Sequence, residues 1–207
     1  MKKLGFTLAE VLITLVIIGV IAAMTVPTLM NNTQGTENKT AFKKAISSLN
    51  QALTLEYALE GNTAASADII ETMKKRTNVI NTKGEWYTGT TKGSATDGIL
   101  VTADGIIYDL TTRKVGTAAA PISCPGETLT STGGYPTDTC GYGRVDVNGV
   151  KGPNVQVTDP AKPQDQFYFT IYETKVLPGT ANNTFEAAVM YDNKDTTSFT
   201  KSTAPSA

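Results

Sequence analysis

The run from Phe6 to Met30 constrains this chain more than any other part of it. These 25 residues are chiefly Leu, Val, Ile, Ala and Met, with a single charge, Glu10, and no other until Glu37. At about 1.5 Å per residue, a helix of that length exceeds the roughly 30 Å hydrocarbon core of a bilayer. The run therefore predicts a membrane-spanning helix over residues 6–30. A carboxylate in such a span costs on the order of 2.5–3.5 kcal/mol on insertion scales, so Glu10 needs a partner or a purpose. Lys2 and Lys3 precede the span, and short basic flanks stay cytoplasmic, which sends the downstream chain across the membrane. A secretory signal peptide fits poorly, because its apolar core runs only about 7–15 residues. A plain single-pass anchor fits the length but gives no reason for Glu10.

The helix is expected to continue beyond the membrane. Past the polar patch Asn31–Gly35, apolar residues recur at Phe42, Ile46, Leu49, Leu53 and Tyr57, one stripe of a helix, with Lys43, Lys44, Ser47, Asn50 and Gln51 opposite. Gly61 offers an exit. The first half is thus apolar all round and the second amphipathic, able to carry a domain on one face. Pro27 and Gly35 predict a bend or partial melting between the halves. A short helix is read over Asp68–Arg76, with Ser66 as a cap and Ile69, Ile70 and Met73 inward. Period two then takes over. Ile99–Ala103 and Ile106–Leu110 read as a hairpin about Asp104-Gly105, with further strands at Val145–Val147, Phe167–Tyr172 and Phe185–Met190. The expected fold class is α+β: a long N-terminal helix packed on an antiparallel sheet of four or five strands.

The segment Gly5-Phe6-Thr7-Leu8-Ala9-Glu10-Val11-Leu12-Ile13 resembles the N-terminal signal of type IV prepilins and of the pseudopilins of type II secretion. The resemblance covers about residues 1–60. It implies that a prepilin peptidase cuts between Gly5 and Phe6 and N-methylates Phe6, and that Glu10 is the carboxylate required for assembly. Gly19 and Pro27 fall where family members loosen and kink the stalk. The implied divisions are a leader at 1–5, a transmembrane assembly helix at 6–30, its amphipathic continuation at 31–61 and a pilin-like globular domain at 62–207. The implied partners are the peptidase and methylase, other copies or related pilins in a filament, and an inner-membrane assembly platform. The implied location is the inner membrane, single-pass with the C-terminal domain outside the cytoplasm, and then a pilus or a periplasmic pseudopilus.

Outside the cytoplasm, Cys124 and Cys140 read as a disulfide rather than a metal site. Chain-entropy arguments give about 3 kcal/mol for a loop of this size. Pilins commonly staple a surface loop this way. The chain has 18 basic and 19 acidic residues, a balance that disfavours a general nucleic-acid surface. Lys43-Lys44 and Lys74-Lys75-Arg76 read as solvated helix faces. The sequence contains no histidine, the commonest general base, and no phosphate-cradling glycine motif, so no enzymatic role is expected. No cofactor is expected either. Calcium at Asp146-Val147-Asn148-Gly149, with Asp159 and Asp165 as further donors, is the weaker alternative to simple turn formation, since Val150 and Lys151 stand where a calcium loop needs oxygens. Three functions follow: a type IV pilus subunit, a type II secretion pseudopilin, or an anchored binding protein that does not assemble.

Overall fold

The computed structural model describes residues 7–113, 140–156, 164–179, 186 and 189–190, apart from the side chains of residues 28, 31 and 32. Its first element, helix α1, runs from Leu8 to Glu60 without interruption, 53 residues and about 80 Å. Gly61 ends it in the left-handed conformation, φ 69°, with its N–H donating to Tyr57 O. The expected melting near Gly35 does not occur, since the helix passes unbroken through Pro27 and Gly35. A proline deletes one main-chain hydrogen bond, and a rod this long keeps many on either side.

The second half of α1 lies on the sheet through Phe42, Ala45, Ile46, Leu49, Ala52 and Leu53, all buried. Tyr57 departs from the expected stripe and is 58% exposed, whereas Glu56 is only 2% exposed. The spacing 49, 53, 56 keeps to the helix's inner face, while a further step of four drifts off it. Glu56 is tolerated there because Arg76 of helix α2 (Ile69–Arg76) pairs with it at 3.0 Å. The cap of α2 is Asp68, whose carboxylate accepts from Ile70 N, not Ser66 as read from sequence. Ser66 instead accepts from Thr63 N in the preceding turn.

Six antiparallel strands form the main sheet, more than the four or five expected. They are β1 (Val79–Asn81), β4 (Ile99–Thr102), β5 (Ile107–Asp109), β6 (Gly141–Asp146), β7 (Gln166–Ile171) and β8 (Val176–Pro178), paired in that order. A small hairpin of β2 (Tyr87–Thr88) and β3 (Thr91–Lys92) stands apart. The Asp104-Gly105 hairpin appears as expected, with Val101 opposite Ile107. Strand β6 begins four residues earlier than its apolar pattern suggested, because Gly143 lies within the strand and serves close packing. A Cβ at Gly143 would stand 2.5 Å from the Phe169 ring and 2.8 Å from Asp109 O. The expected strand at Phe185–Met190 is instead helical at its described residues, Glu186, Val189 and Met190. Buried Glu186 and Val189 are three apart, one face of a helix but opposite faces of a strand.

The core lies between the two helices and the inner sheet face. Phe42 stacks on Phe167 at 4.4 Å, among Leu49, Met73, Leu100 and Phe169. On the outer face Trp86 covers Ile99 and Ile107, and Arg144 lies 4.4 Å over its ring while pairing with Asp109. At the far edge Asn50 acts as a short piece of strand. Its Nδ2 donates to Val176 O at 2.9 Å and its Oδ1 accepts from Val176 N at 2.8 Å, so α1 closes the edge of β8.

Candidate functional site: the stalk and its first turn

The domain covers none of the membrane half of α1. The 20 residues Leu8–Pro27 are long and apolar enough to cross a bilayer, and no part of that span is buried. Large aliphatic side chains stand open around the whole circumference, among them Leu12, Ile13, Val16, Ile18 and Ile21. One helix thus has two surfaces, an outer half with a built-in partner and an inner half without one. Gly19 lies in the span with open space where a side chain would sit, and Pro27 closes it.

Glu10 sits at the head of this span. Thr7 is the N-cap of α1, and the pair forms a capping box. Thr7 N–H and Thr7 Oγ1–H both donate to Glu10 Oε2 at 2.8 Å, and Glu10 N–H donates back to Thr7 Oγ1 at 3.3 Å. The arrangement satisfies main-chain donors that a helix start leaves open. It also gives the carboxylate two hydrogen bonds while no other subunit is present. Glu10 Oε1 takes no hydrogen bond among the described residues. The cut site read from sequence, Gly5 and Phe6, lies outside the described residues.

Cys140 is buried and is not a free thiol; the other cysteine of the chain, Cys124, lies outside the described residues. The basic run on α2 is neutralised at short range. Lys74 pairs with Glu71, Lys75 with Glu60, and Arg76 with Glu56 and Glu60. Lys44 pairs with Asp104. These cations fasten helices and turns, and a polyanion would have to displace carboxylates to reach them.

The Asp146-Val147-Asn148-Gly149 turn is built by hydrogen bonds. Asp146 accepts from Asn148 N at 3.3 Å and from Gln166 Nε2 at 2.9 Å. Asp165 accepts from Asn154 N and Val155 N, each at 2.8 Å. All four carboxylate oxygens therefore hold the loop. Asn148 Oδ1 and Asn154 Oδ1 are buried without partners, yet the described residues hold no group of three or more acidic, Cys or His side chains that would suit a metal. Asp159, a further donor expected from sequence, lies outside the described residues. Burial, with the nearby Asp165 charge adding to it, pushes the Asp146 carboxyl up to about 7 against the pull of the Gln166 hydrogen bond. Burial likewise raises Glu186 to about 7; its Oε1 accepts from Tyr168 N at 3.1 Å, past the end of β8.

Sequence reasoning missed Asn50, Glu56 and Glu186 as structural polar residues. Glu56 was accessible to it, since the 49, 53, 56 progression marks the position as buried. Nothing local identifies Asn50 as a strand substitute, because its partner is 126 residues away.

Residues 1–26 match the family model described as the prokaryotic N-terminal methylation motif. The chain carries the processing signal of type IV pilins and pseudopilins, at the head of an apolar helix and with an α+β, pilin-like arrangement behind it. The signal points to a structural subunit of the pilin or pseudopilin type. Neither a curated protein nor a solved structure matches the chain.

Proposed function

We propose that this chain is a subunit of a type IV pilus-like filament, trimmed between Gly5 and Phe6 by a prepilin peptidase, methylated at Phe6 and assembled through α1. One observation carries the reading: the methylation motif heads a helix whose first half has no covering at all, while its second half packs one face into the domain. The precursor sits in the inner membrane with Lys2 and Lys3 in the cytoplasm and the domain outside. A Cys124–Cys140 disulfide suits that location. In the filament, Glu10 of one subunit pairs with the Phe6 ammonium of a neighbour. Such a pair fixes axial register where water is excluded, since either charge alone is costly there. The aliphatic surface supplies the cohesion. The partners are the peptidase and methylase, an assembly platform in the membrane and further copies or related pilins. No catalytic role is assigned to the chain.

The second reading, a pseudopilin of type II secretion, shares every element of this mechanism and differs in what the filament serves. Replacing Glu10→Ala tests both. Intact mass should show the same trimmed, methylated terminus as the unsubstituted protein, and sheared filaments should lose the subunit. Normal incorporation of the variant would remove the pairing role, and an untrimmed terminus in the unsubstituted protein would remove the filament reading. Deleting the gene and comparing surface fibres with exported proteins separates pilus from pseudopilus.

A further inference from the structure

The apolar part of α1 is longer than the hydrocarbon it has to cross. Exposed aliphatic side chains run from Leu8 past Pro27 to Leu29 and Met30. Leu8–Met30 makes about 34 Å of helix against about 30 Å of hydrocarbon. Tilting takes up such an excess, and acting alone it would need on the order of 30°. Which way a helix leans is set by the anchors at its interface. The head stands beside that interface, so the groups on its membrane-facing end decide the direction.

That end carries a notch. From Met30 to Glu37 the helix rises about 10 Å, and there a cavity of about 460 Å³ opens between α1 and the lower turns. It is lined by Glu37 and Ala41 of α1, Val101 and Asp104 of the hairpin, and Val150 and Lys151. Its floor is tightly built. A Cβ at Gly149, φ 67°, would stand 2.5 Å from Gly105 O, so the 147–151 turn lies directly on the hairpin tip. Val150 is 63% exposed, and Lys151 beside it is exposed too. An aliphatic side chain next to an ammonium suits the boundary between headgroups and acyl chains. The charges sort in the same way. Asp104 is answered by Lys44, whereas Glu37 and Lys151 have no ion-pair partner among the described residues.

We infer that the head rests on the membrane it is anchored in, its notch receiving a phospholipid headgroup that bears a phosphate and a primary ammonium. Lys151 takes the phosphate and Val150 the acyl boundary. Glu37 takes the ammonium, which can donate hydrogen bonds to a carboxylate where a fully methylated one cannot. The distances close. Headgroups form a layer about 5–8 Å thick on each side, so an upright notch would hang just above it. An element packed on a helix stands roughly 10 Å from its axis. A lean of about 30° toward the notch therefore lowers it by about 5 Å, into the headgroups. The inference rests on the membrane location proposed above and not on filament assembly. It describes the subunit as it waits in the bilayer.

The full chain in lipid nanodiscs tests this, with a fluorescent amino acid in place of Val150, Tyr57 or Val16 and nitroxide lipids as quenchers. The probe at Val16 reports insertion and should be quenched by a mid-chain nitroxide. Tyr57 is 58% exposed and stands about 30 Å beyond Glu37 along α1, so a probe there should ignore both quenchers. In phosphatidylcholine doped with phosphatidylethanolamine, a headgroup nitroxide should quench the Val150 probe several-fold more than the Tyr57 probe. Lys151→Gln should lower the ratio of quenched to unquenched Val150 probe about fivefold. Glu37→Gln should abolish the advantage of phosphatidylethanolamine over phosphatidylcholine alone. Equal quenching at Val150 and Tyr57, with Val16 still in lipid, overturns the inference and leaves the filament reading standing. Stronger quenching at Val150 with phosphatidylglycerol than with phosphatidylethanolamine overturns the choice of headgroup. Absence of quenching at Val16 removes the membrane location on which both readings rest.

Discussion

Asn50 carries more of the domain than its position on a solvent-flanked helix suggests, and replacing it tests how α1 is attached. In Asn50→Ala, Val176 loses the acceptor for its N–H and the donor for its C=O, bonds of 2.8 and 2.9 Å. A hydrogen bond contributes about 1 kcal/mol net, and a buried N–H left unpaired costs about 1–3 kcal/mol. Val176 is 1% exposed, so water reaches it poorly, and the sum is about 2–3 kcal/mol. For a chain of this size that corresponds to roughly 5–10 °C in midpoint. The single tryptophan, Trp86, reports unfolding by fluorescence in urea titrations of the full chain in mild detergent. Asn50→Asp sharpens the test. Its carboxylate still accepts from Val176 N–H but faces the carbonyls of Val176 and Ile46, which now receive Asn50 Nδ2. That variant should be weakest at neutral pH and recover partly in acid. Gln51→Ala, on the exposed side, should stay within about 0.5 kcal/mol of the unsubstituted chain. If Asn50→Ala matches that control, the edge of β8 is not held by this amide and the reasoning fails.

Gly143→Ala should cost about 1–3 kcal/mol in the same titration, because the new methyl meets the Phe169 ring and a main-chain oxygen; an unchanged midpoint would show that β6 and β7 are looser than described. Glu186 contributes a pH dependence of definite sign. Its folded value of about 7 lies above that of an unfolded carboxylate, so the folded chain binds the extra proton between about pH 4 and 7. Stability from this group is complete at the acid end, is lost as pH rises through that window, and is flat above it, a change on the order of 3 kcal/mol. Glu186→Gln, which keeps the acceptor for Tyr168 N–H, should remove that part of the slope; identical slopes in the two proteins would refute it.

The stalk was legible in the sequence because its signals are local. Periodicity from Phe42 to Leu53, a glycine at the exit and a carboxylate four residues into an apolar run need no tertiary information. The Asp104-Gly105 hairpin was legible for the same reason. What escaped depends on distant partners. The start of β6 at Gly141 has no apolar pattern to mark it, the role of Gly143 depends on Phe169 lying against it, and β8 has only Val176 and Leu177 before a proline. The segment around Glu186 reads as a strand because β-branched and aromatic residues surround it, yet its buried positions follow a helical step. Pro27 does not end the helix, which continues through it to Glu60. At the site, Glu10 was evident from its cost in lipid, whereas the role of Thr7 as its partner emerged only from the capping geometry.

Because α1 is one continuous helix from Leu8 to Glu60, the number of residues between Glu10 and the sheet sets how the head is turned about the helix axis. Inserting a single residue in the stretch from Thr33 to Thr36 would rotate the head by about 100° relative to Glu10 and lift it about 1.5 Å, while four residues would rotate it only about 40°. The head's azimuth is thereby encoded by the length of chain between them.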